Sequence, residues 1–414
     1  MKHSPEALDI PALRRRFPAL RRHPETLYFD NPAGTQVPDE TIEGFVSYFN
    51  DANANEGGSF AASRATDSVI AGARDGMRAF LNAASPDEII FGQNMSSLTF
   101  HLSHALRRVL RPGDEIVTTR LEHDANVSPW LALEDLGVVV KWIDLDPETG
   151  RLDLQAAESA FSNRTRLLAV GYASNALGTI NDVKRLTALG HAHGALVFVD
   201  AVHFAPHGSI DVQAIGCDFL ACSAYKFFGP HLGILYGRRE ALDRLPSPHV
   251  RPAGDEPPHS WETGTQSHEA FAGLLGTLRY LRSLSSQGEE VAPSSGREQL
   301  EAAFAAIRRY ELTLSERLLA GLAAVPGVTV YGITRPEDLD RRVPTVSFRL
   351  RGYEPEELSV RLGEHAINSW AGNHYALEPL ARLGLDATNR IGLVHYNTYD
   401  EIERFLGTLQ ELAA

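Results

Sequence analysis

Short apolar runs rich in Val, Ile and Leu recur along the first half of the chain, and stretches with helical spacing of apolar residues separate them. The runs predict strands at 88–92, 115–118, 138–142, 167–170, 196–199 and 218–222. The intervening stretches predict helices at 10–20, 41–50, 63–81, 128–136, 154–161 and 183–193, and one that opens in the polar turn 93–97 and ends near 110. This alternation predicts a parallel sheet with helices on both faces.

The second half of the chain has fewer strand patterns. Its predicted elements are a proline-rich loop at 246–258, a helix at 270–283, a loose patch at 285–296, a long helix at 297–325, strands at 328–330 and 346–348, a helix at 356–365 and a closing helix from 399. We therefore predict three parts. They are an N-terminal segment, 1–28, that packs with the small domain, a large domain, 29–284, and a small C-terminal α/β domain, 285–414.

Composition narrows the class of protein. The chain has 414 residues, 43% of them hydrophobic and 22% charged, as in soluble globular proteins with a large core. Its net charge of −14 argues against nucleic acid or an anionic membrane surface as a partner. There is no signal-peptide pattern after Met1 and no apolar run of membrane-spanning length, so we expect a cytoplasmic protein.

Neither metal nor dinucleotide chemistry is indicated. The two cysteines, Cys217 and Cys222, flank an apolar strand and are expected to be buried thiols. The histidine pairs at 101 and 104 and at 191 and 193 come without a carboxylate or third ligand at suitable spacing, so we expect no metal site. No G-x-G-x-x-G follows the first strand.

Two charged residues stand at the ends of neighbouring predicted strands. Asp200 ends one apolar run, and Lys226 follows the next. An acid and a lysine so placed can hold a pyridine ring, the lysine as a Schiff base to its aldehyde and the acid at its ring nitrogen. A surface ion pair is the alternative that these two residues alone leave open. Ser96, His123 and Asn175 fall at the same edge of the predicted sheet, which is where such sheets bind ligands.

Several motifs in order resemble one family. They are DNPAGT, LEHDANVSPW, SNALGTIN, VDAVHFAPH, SAYKFFGP, ETGT and NRIGLVHYNT, and they extend from about Phe29 to Leu412. The chain resembles the class V aminotransferase or cysteine desulfurase-like family of fold-type I pyridoxal-phosphate enzymes. The resemblance implies an α/β fold with a mostly parallel seven-stranded sheet in the large domain and a smaller C-terminal α/β domain. It also implies a homodimer with shared active sites.

The resemblance implies pyridoxal 5′-phosphate as the cofactor and gives residues of the matching motifs their roles. Lys226 would form the Schiff base and later carry the proton at Cα. Asp200 would keep the pyridine nitrogen protonated, and His123 would stack on the ring. His203 would lie near the phenolic oxygen of the cofactor, where the desulfurases have a glutamine.

The phosphate group of the cofactor would be held by hydroxyls and by a helix amino terminus. The resemblance places Ser96, Ser97 and Ser223 there, together with the helix that begins beside the first two. Tyr225 would contact the phosphate at a position where the desulfurases often have histidine. Thr265, in the ETGT turn, would reach the phosphate from the neighbouring subunit.

The substrate side of the site departs from the desulfurase pattern. Arg390 would bind a substrate carboxylate with its forked guanidinium, and Asn175 would contact a cofactor oxygen or that carboxylate. A desulfurase carries a mobile persulfide-forming cysteine in the loop that matches 368–376, where this chain has Tyr375. We therefore expect an enzyme that acts on a small amino acid without a persulfide.

The sequence leaves the reaction open. β-Elimination (including C–S lyase action), transamination, and racemisation or epimerisation remain possible, with His374, Tyr375 and His203 as candidate acids or bases. His374 and Tyr375 are also expected to contact the substrate. A hypothesis of another class is a non-catalytic scaffold, but such a protein has no use for Lys226, Asp200 and Arg390 together.

Overall fold

The computed structural model describes residues 8–285 and 295–414. The helices of this part are α1 (Ile10–Arg14), α2 (Pro18–Arg22), α3 (Asp39–Asp51), α4 (Ala61–Leu81), α5 (Met95–Arg107), α6 (Ser128–Leu131), α7 (Val183–Ala192), α8 (Val212–Ile215), α9 (Arg239–Arg244), α10 (His268–Ser283), α11 (Gly296–Ala324), α12 (Pro355–Glu364), α13 (Leu377–Arg382) and α14 (Tyr399–Ala413). The strands are β1 (Leu27–Tyr28), β2 (Ile89–Gly92), β3 (Glu115–Thr119), β4 (Val139–Ile143), β5 (Leu145–Asp146), β6 (Arg151–Leu152), β7 (Thr165–Gly171), β8 (Leu196–Asp200), β9 (Phe219–Ser223), β10 (Gly233–Gly237), β11 (Val328–Tyr331), β12 (Thr345–Leu350), β13 (Ile367–Asn368), β14 (Trp370–Gly372) and β15 (Thr388–Gly392).

The large sheet has seven strands in the order β2-β10-β9-β8-β7-β3-β4. Neighbouring strands pair in parallel except around β10, which runs antiparallel to both β2 and β9. The predicted fold class, an α/β protein with a mostly parallel large sheet, is confirmed. Because the six other strands run in the same direction, their carboxyl ends share one edge of the sheet.

Apolar side chains cover both faces of this sheet. In β8, Val197 and Val199 pack into the cluster that contains apolar residues of α4, α7 and α10. Phe198, between them, packs into the cluster that contains residues of α5, α6 and α9. Successive side chains of a strand point to opposite faces, so a continuous apolar run needs helices on both sides.

A smaller antiparallel sheet has the order β11-β12-β15-β14. A third apolar cluster joins it to α11, α12 and α14 and includes Leu27 and Phe29 near the amino end. β1 pairs in parallel with β13. The proposed boundaries at 28/29 and 284/285 stay a prediction. Within the described ranges, no helix combines the length and apolarity needed to cross a lipid bilayer.

The structure differs from the predicted elements where local chemistry interrupts a pattern. The predicted helix 10–20 is two short helices, because Pro18 lacks the N–H that a continuous helix needs and instead opens α2. The stretch 154–161 forms only a 3-10 turn, Ala157–Ala160. Helix 128–136 is reduced to α6 and a further 3-10 turn. Most of the loose patch predicted at 285–296 lies outside the described residues.

Candidate active site

Most of the predicted site residues gather at the carboxyl edge of the large sheet. Asp200 ends β8, Ser223 ends β9, and Lys226 closes the tight turn that follows β9. A cavity of about 960 Å³ lies there and reaches β14 and β15 of the small sheet. The predicted residues that line it are Ser96, His123, Asn175, Asp200, His203, Ser223, Tyr225, Lys226, His374, Tyr375 and Arg390.

Lys226 and Asp200 have strongly shifted pKa values. Burial and, to a smaller extent, the charge of Arg390 lower the pKa of Lys226 to about 7, and the charge of Asp200 opposes this shift. Burial raises the pKa of Asp200 to about 6, against a hydrogen bond that Val202 N donates to Oδ1 over 2.9 Å and against the charge of Lys226. Lys226 Nζ donates to the carbonyl oxygen of Pro32. A lysine that is partly neutral at neutral pH can react with an aldehyde.

His123 presents a neutral ring to the cavity. Its Nδ1 accepts a hydrogen bond from Ala125 N over 3.0 Å, so the neutral ring carries its proton on Nε2. Burial lowers the pKa of His123 to about 4, helped by the charges of Lys226 and Arg390. The ring lies nearly parallel to that of Tyr375, with centroids 5.7 Å apart and planes at 20°. An uncharged imidazole of this kind suits stacking against an aromatic cofactor.

The amino end of α5 lines the cavity beside Ser223. Met95 N donates to Ser223 Oγ over 3.0 Å, and Ser96 lies next to it on the cavity wall. Ser97 instead caps α5: its N–H donates to Asn94 Oδ1 over 2.9 Å, and its hydroxyl donates to Asn94 O over 2.8 Å. Consecutive side chains on a helix diverge by about 100°, so the two serines do not face the same way. Backbone N–H groups and hydroxyls form an anion site at such a terminus.

Thr265 lies apart from this cavity. It is exposed in the turn between Trp261 and α10, and its predicted contact needs a second subunit. Tyr225 lines the cavity with its ring stacked on that of His231, the centroids 4.8 Å apart. His203 is buried, and its Nε2 is 2.8 Å from Thr345 Oγ1.

Arg390, in β15 of the small sheet, and Asn175, which follows β7 of the large sheet, are hydrogen-bonded to each other. Arg390 Nη1 donates to the backbone oxygen of Asn175 over 3.0 Å, and burial lowers the pKa of Arg390 to about 10. Among the described residues, Arg390 Nε and Asn175 Oδ1 are buried without a hydrogen-bond partner. Buried polar atoms seldom stay unpaired, so this donor and acceptor indicate a place for a polar ligand.

The loop between β14 and α13 lines the cavity. His374 and Tyr375 both have left-handed backbones, with φ of 56° and 53°, a costly conformation for non-glycine residues. Three contacts fix it: Asn175 Nδ2 donates to His374 O over 2.8 Å, Asp124 N donates to Tyr375 O over 2.7 Å, and His374 Nε2 donates to Thr388 O over 3.1 Å. Burial lowers the pKa of His374 to about 3, so its ring is neutral.

Sequence reasoning missed several residues of the cavity wall. Phe100, His231 and Trp370 line it, and Phe100 and Trp370 are exposed there. Trp370 belongs to β14, a strand of three residues that is too short for its period to be recognised. His231 could have been found, because it directly follows the Gly-Pro pair of the SAYKFFGP motif.

The fold and this site define a pyridoxal-phosphate enzyme of fold-type I, and comparison with known proteins gives the family. Residues 27–405 match the family Aminotransferase class-V, so the chain belongs to that family. The probable cysteine desulfurase of Mycolicibacterium paratuberculosis is 35% identical over 427 residues, which cover 99% of this chain and 59% of that protein. The aminotransferase-like protein FGM3 of Gibberella zeae is 32% identical, covering 98% of this chain and 99% of that protein. The apo structure of the cysteine desulfurase from Thermococcus onnurineus NA1 has a TM-score of 0.88 at 30% identity, covering 100% of this chain and 99% of that chain.

The residues present fit the cofactor of this family. An amine of lowered pKa, a buried carboxyl group and a hydroxyl-lined helix terminus face one cavity. They match the aldehyde, the ring nitrogen and the phosphate of pyridoxal 5′-phosphate, which is the cofactor of this enzyme. The chain is therefore a pyridoxal-phosphate-dependent enzyme, and the non-catalytic alternative is not retained.

Proposed function

We propose that the enzyme removes the Cα proton of a small α-amino acid and expels a leaving group from Cβ, without storing sulfur on a cysteine. The observation that carries this proposal is the fixed loop Asn373–Ala376, which has histidine and tyrosine where a desulfurase needs a mobile thiol. A persulfide carrier has to move between the substrate and an acceptor. The hydrogen bonds of His374 and Tyr375 hold this loop in place.

Neither cysteine of the chain is suited to persulfide chemistry. Cys217 and Cys222 are fully buried beside and within β9, and neither lines the cavity. Burial raises the pKa of both thiols, so the nucleophilic thiolate is scarce. A sulfur atom cleaved from a substrate therefore leaves as a small product.

Each residue of the cavity has a task in this proposal. When bound, pyridoxal phosphate supplies the electron sink for the carbanion at Cα. Lys226 takes the Cα proton, and Arg390 holds the substrate carboxylate with Asn175 beside it. Asp200 holds the ring nitrogen of the cofactor, and the Tyr375 hydroxyl donates a proton to the leaving group.

The phosphate and ring of the cofactor are held by the remaining predicted residues. Ser96, Ser223 and Tyr225 bind the phosphate, His123 covers the ring, and His203 lies on the side of the phenolic oxygen. Thr265 completes the phosphate site from the other subunit of a homodimer. An exposed apolar stripe on α3, formed by Ile42, Val46 and Phe49, supports such a dimer because isolated subunits rarely expose a contiguous stripe.

Transamination is the second candidate, since one relative of similar length is named aminotransferase-like. Products separate the two reactions. The purified enzyme is incubated with single amino acids that carry sulfur, oxygen or halogen on Cβ. Elimination releases ammonia and the leaving group with a 2-oxo acid, whereas transamination keeps the Cβ substituent and consumes an added 2-oxo acid.

A cysteine-free variant tests the absence of a persulfide. The double substitution Cys217→Ala with Cys222→Ala is expected to keep kcat within about threefold of the unchanged enzyme, because neither thiol reaches the substrate. A loss of sulfide release, or persulfide mass on either cysteine after turnover, contradicts the proposal.

A further inference from the structure

A second, much smaller cavity lies behind Lys226. Its volume is about 10 Å³, close to the smallest space that holds one water molecule. Lys226, His203 and His207 line it, together with Asn31 and Thr345. Amine, imidazole, amide and hydroxyl groups therefore surround a space that fits one hydrogen-bonded water.

His207 is joined to a buried carboxylate on its far side. His207 Nδ1 is 2.8 Å from Glu311 Oε2, and both residues are buried. A carboxylate that accepts the Nδ1–H of a histidine fixes the tautomer whose other nitrogen, Nε2, is a base. Glu311 comes from α11, and within the described ranges its Oε1 has no hydrogen-bond partner. A buried carboxylate with one unpaired oxygen lowers the stability of the fold, so a purely structural contact would seldom retain it.

We propose that His207 and Glu311 form a relay that takes a proton from Lys226 through one water and later returns it. The inference rests on the proposed role of Lys226 as the base. A proton leaves the Lys226 ammonium for the water, and the water passes one of its own to His207 Nε2. Lys226 becomes the neutral amine, and the carboxylate of Glu311 balances the imidazolium.

Other titratable groups face the three members of this relay. Lys226 faces Asp200 and Arg390, His207 faces His203 and His395, and Glu311 faces Arg308. At Lys226, burial and the charge of Arg390 lower the pKa, and the charge of Asp200 opposes them. His203 lies between the relay and the active-site cavity, its ring centroid 6.0 Å from that of His207.

The test is the pH at which Lys226 becomes reactive. Glu311→Gln keeps the shape and an acceptor for His207 but removes the negative charge that balances the His207 imidazolium. Without that balance the proton stays on Lys226, so the midpoint, expected near the pKa of about 7 in the unchanged protein, should rise by about 0.5 to 1 pH unit. It is read in full-length, cofactor-free protein as the rate at which pyridoxal phosphate attaches to Lys226, trapped with borohydride and located by peptide mass.

Two variants serve as controls. Glu311→Asp restores the charge and should bring the midpoint back toward that of the unchanged protein. Ser315→Ala removes a buried hydroxyl one turn further along α11, which donates to Glu311 O, and should leave the midpoint unchanged. If Glu311→Gln does not fold, His207→Gln replaces it. This variant keeps a donor for Glu311 but has no basic nitrogen to take the proton, and it should slow attachment at pH 6 about tenfold.

An unchanged or lowered midpoint in a folded Glu311→Gln variant overturns the relay and leaves the pair a structural contact. Equal attachment rates in His207→Gln do the same. If the cofactor attaches to a residue other than Lys226 in the unchanged protein, the proposed function fails instead.

Discussion

Replacing Asp200 with asparagine should stabilise the cofactor-free protein at pH 8. Burial raises the pKa of the Asp200 carboxyl from 3.8 to about 6, a shift of about 2.2 pH units. At 1.36 kcal/mol per unit, ionising Asp200 in the folded protein costs about 3 kcal/mol. Asparagine is matched in shape and can still accept the hydrogen bond from Val202 N at Oδ1.

The sign follows from the raised pKa. The stabilising contribution of Asp200 is fully present below pH 3.8 and is lost as the pH rises through about 6. The unfolding free energy of the unchanged protein should therefore fall by about 3 kcal/mol across this window, and that of Asp200→Asn should not. At pH 8 the variant should melt about 5 °C higher without cofactor.

Adding the cofactor should reverse the order of the two melting temperatures. A carboxylate stabilises a protonated ring nitrogen and an amide does not, so the added pyridoxal phosphate should raise the melting temperature more in the unchanged protein than in Asp200→Asn. Thermal melts at pH 5 and pH 8, with and without cofactor, measure all four cases. Asp218→Asn is the control, because Asp218 is buried far from the cavity and bonded to Arg238 and His191, so its loss destabilises at both pH values. The reasoning is refuted if Asp200→Asn is no more stable than the unchanged protein at pH 8 without cofactor.

Five further substitutions, at four positions, test the site and the fold around it. Arg390→Gln should raise KM about 100-fold by removing a charge-assisted carboxylate contact. In cofactor-free protein, it should also move the pH midpoint of cofactor attachment to Lys226 above about 7, because Arg390 helps to lower the pKa of Lys226. Gly178→Ala should lower the unfolding free energy, measured in denaturant, by about 3 kcal/mol, because φ is +76° and the new Cβ would lie 2.6 Å from Thr345 O. Gly194→Ala is its control: φ is +75° but no atom lies within 4 Å, so the unfolding free energy should fall by only about 1 kcal/mol. Tyr375→Phe keeps the ring beside His123 and should lower kcat about 100-fold if the hydroxyl is the proton donor. Tyr375→Gly should relieve the strain of the left-handed backbone and raise the unfolding free energy by about 1 kcal/mol.

The large sheet could be predicted from the sequence because its parallel strands are buried on both faces. Continuous apolar runs such as Val197–Val199 follow directly from that burial. β10 was missed: it begins and ends with glycine and directly follows a turn, so its short apolar centre was not recognised. β15 was missed because Thr388, Asn389 and Arg390 are polar although they are buried. Their burial depends on contacts between the two sheets, which no local pattern records.

In the site as well, local patterns predict some residues, whereas others depend on how distant elements pack. Asp200 and Lys226 follow apolar runs, and residues at the carboxyl edge of a parallel sheet converge whatever their distance in sequence. For Ser96 and Ser97 the motif could not tell which one faces the cavity, since this depends on the rotation of α5 about its axis. His207 and Glu311 are 104 residues apart, and only the packing of α11 brings them together.

The ionisable groups of the cavity are better paired with charges on ligands than with one another. Burial shifts the pKa values of Lys226, Arg390 and Asp200 toward the neutral form in each case, so the cofactor-free protein bears a cost for all three. With the roles proposed above, the phosphate and the protonated ring nitrogen of the cofactor, and the carboxylate of a substrate, would supply opposite charges where these groups converge. Ligand binding should therefore recover stability that the empty protein lacks, which couples cofactor loading to folding. A site built for an ion pair alone would bring Asp200 and Lys226 into contact, whereas Lys226 bonds to Pro32 O and Asp200 to Val202 N.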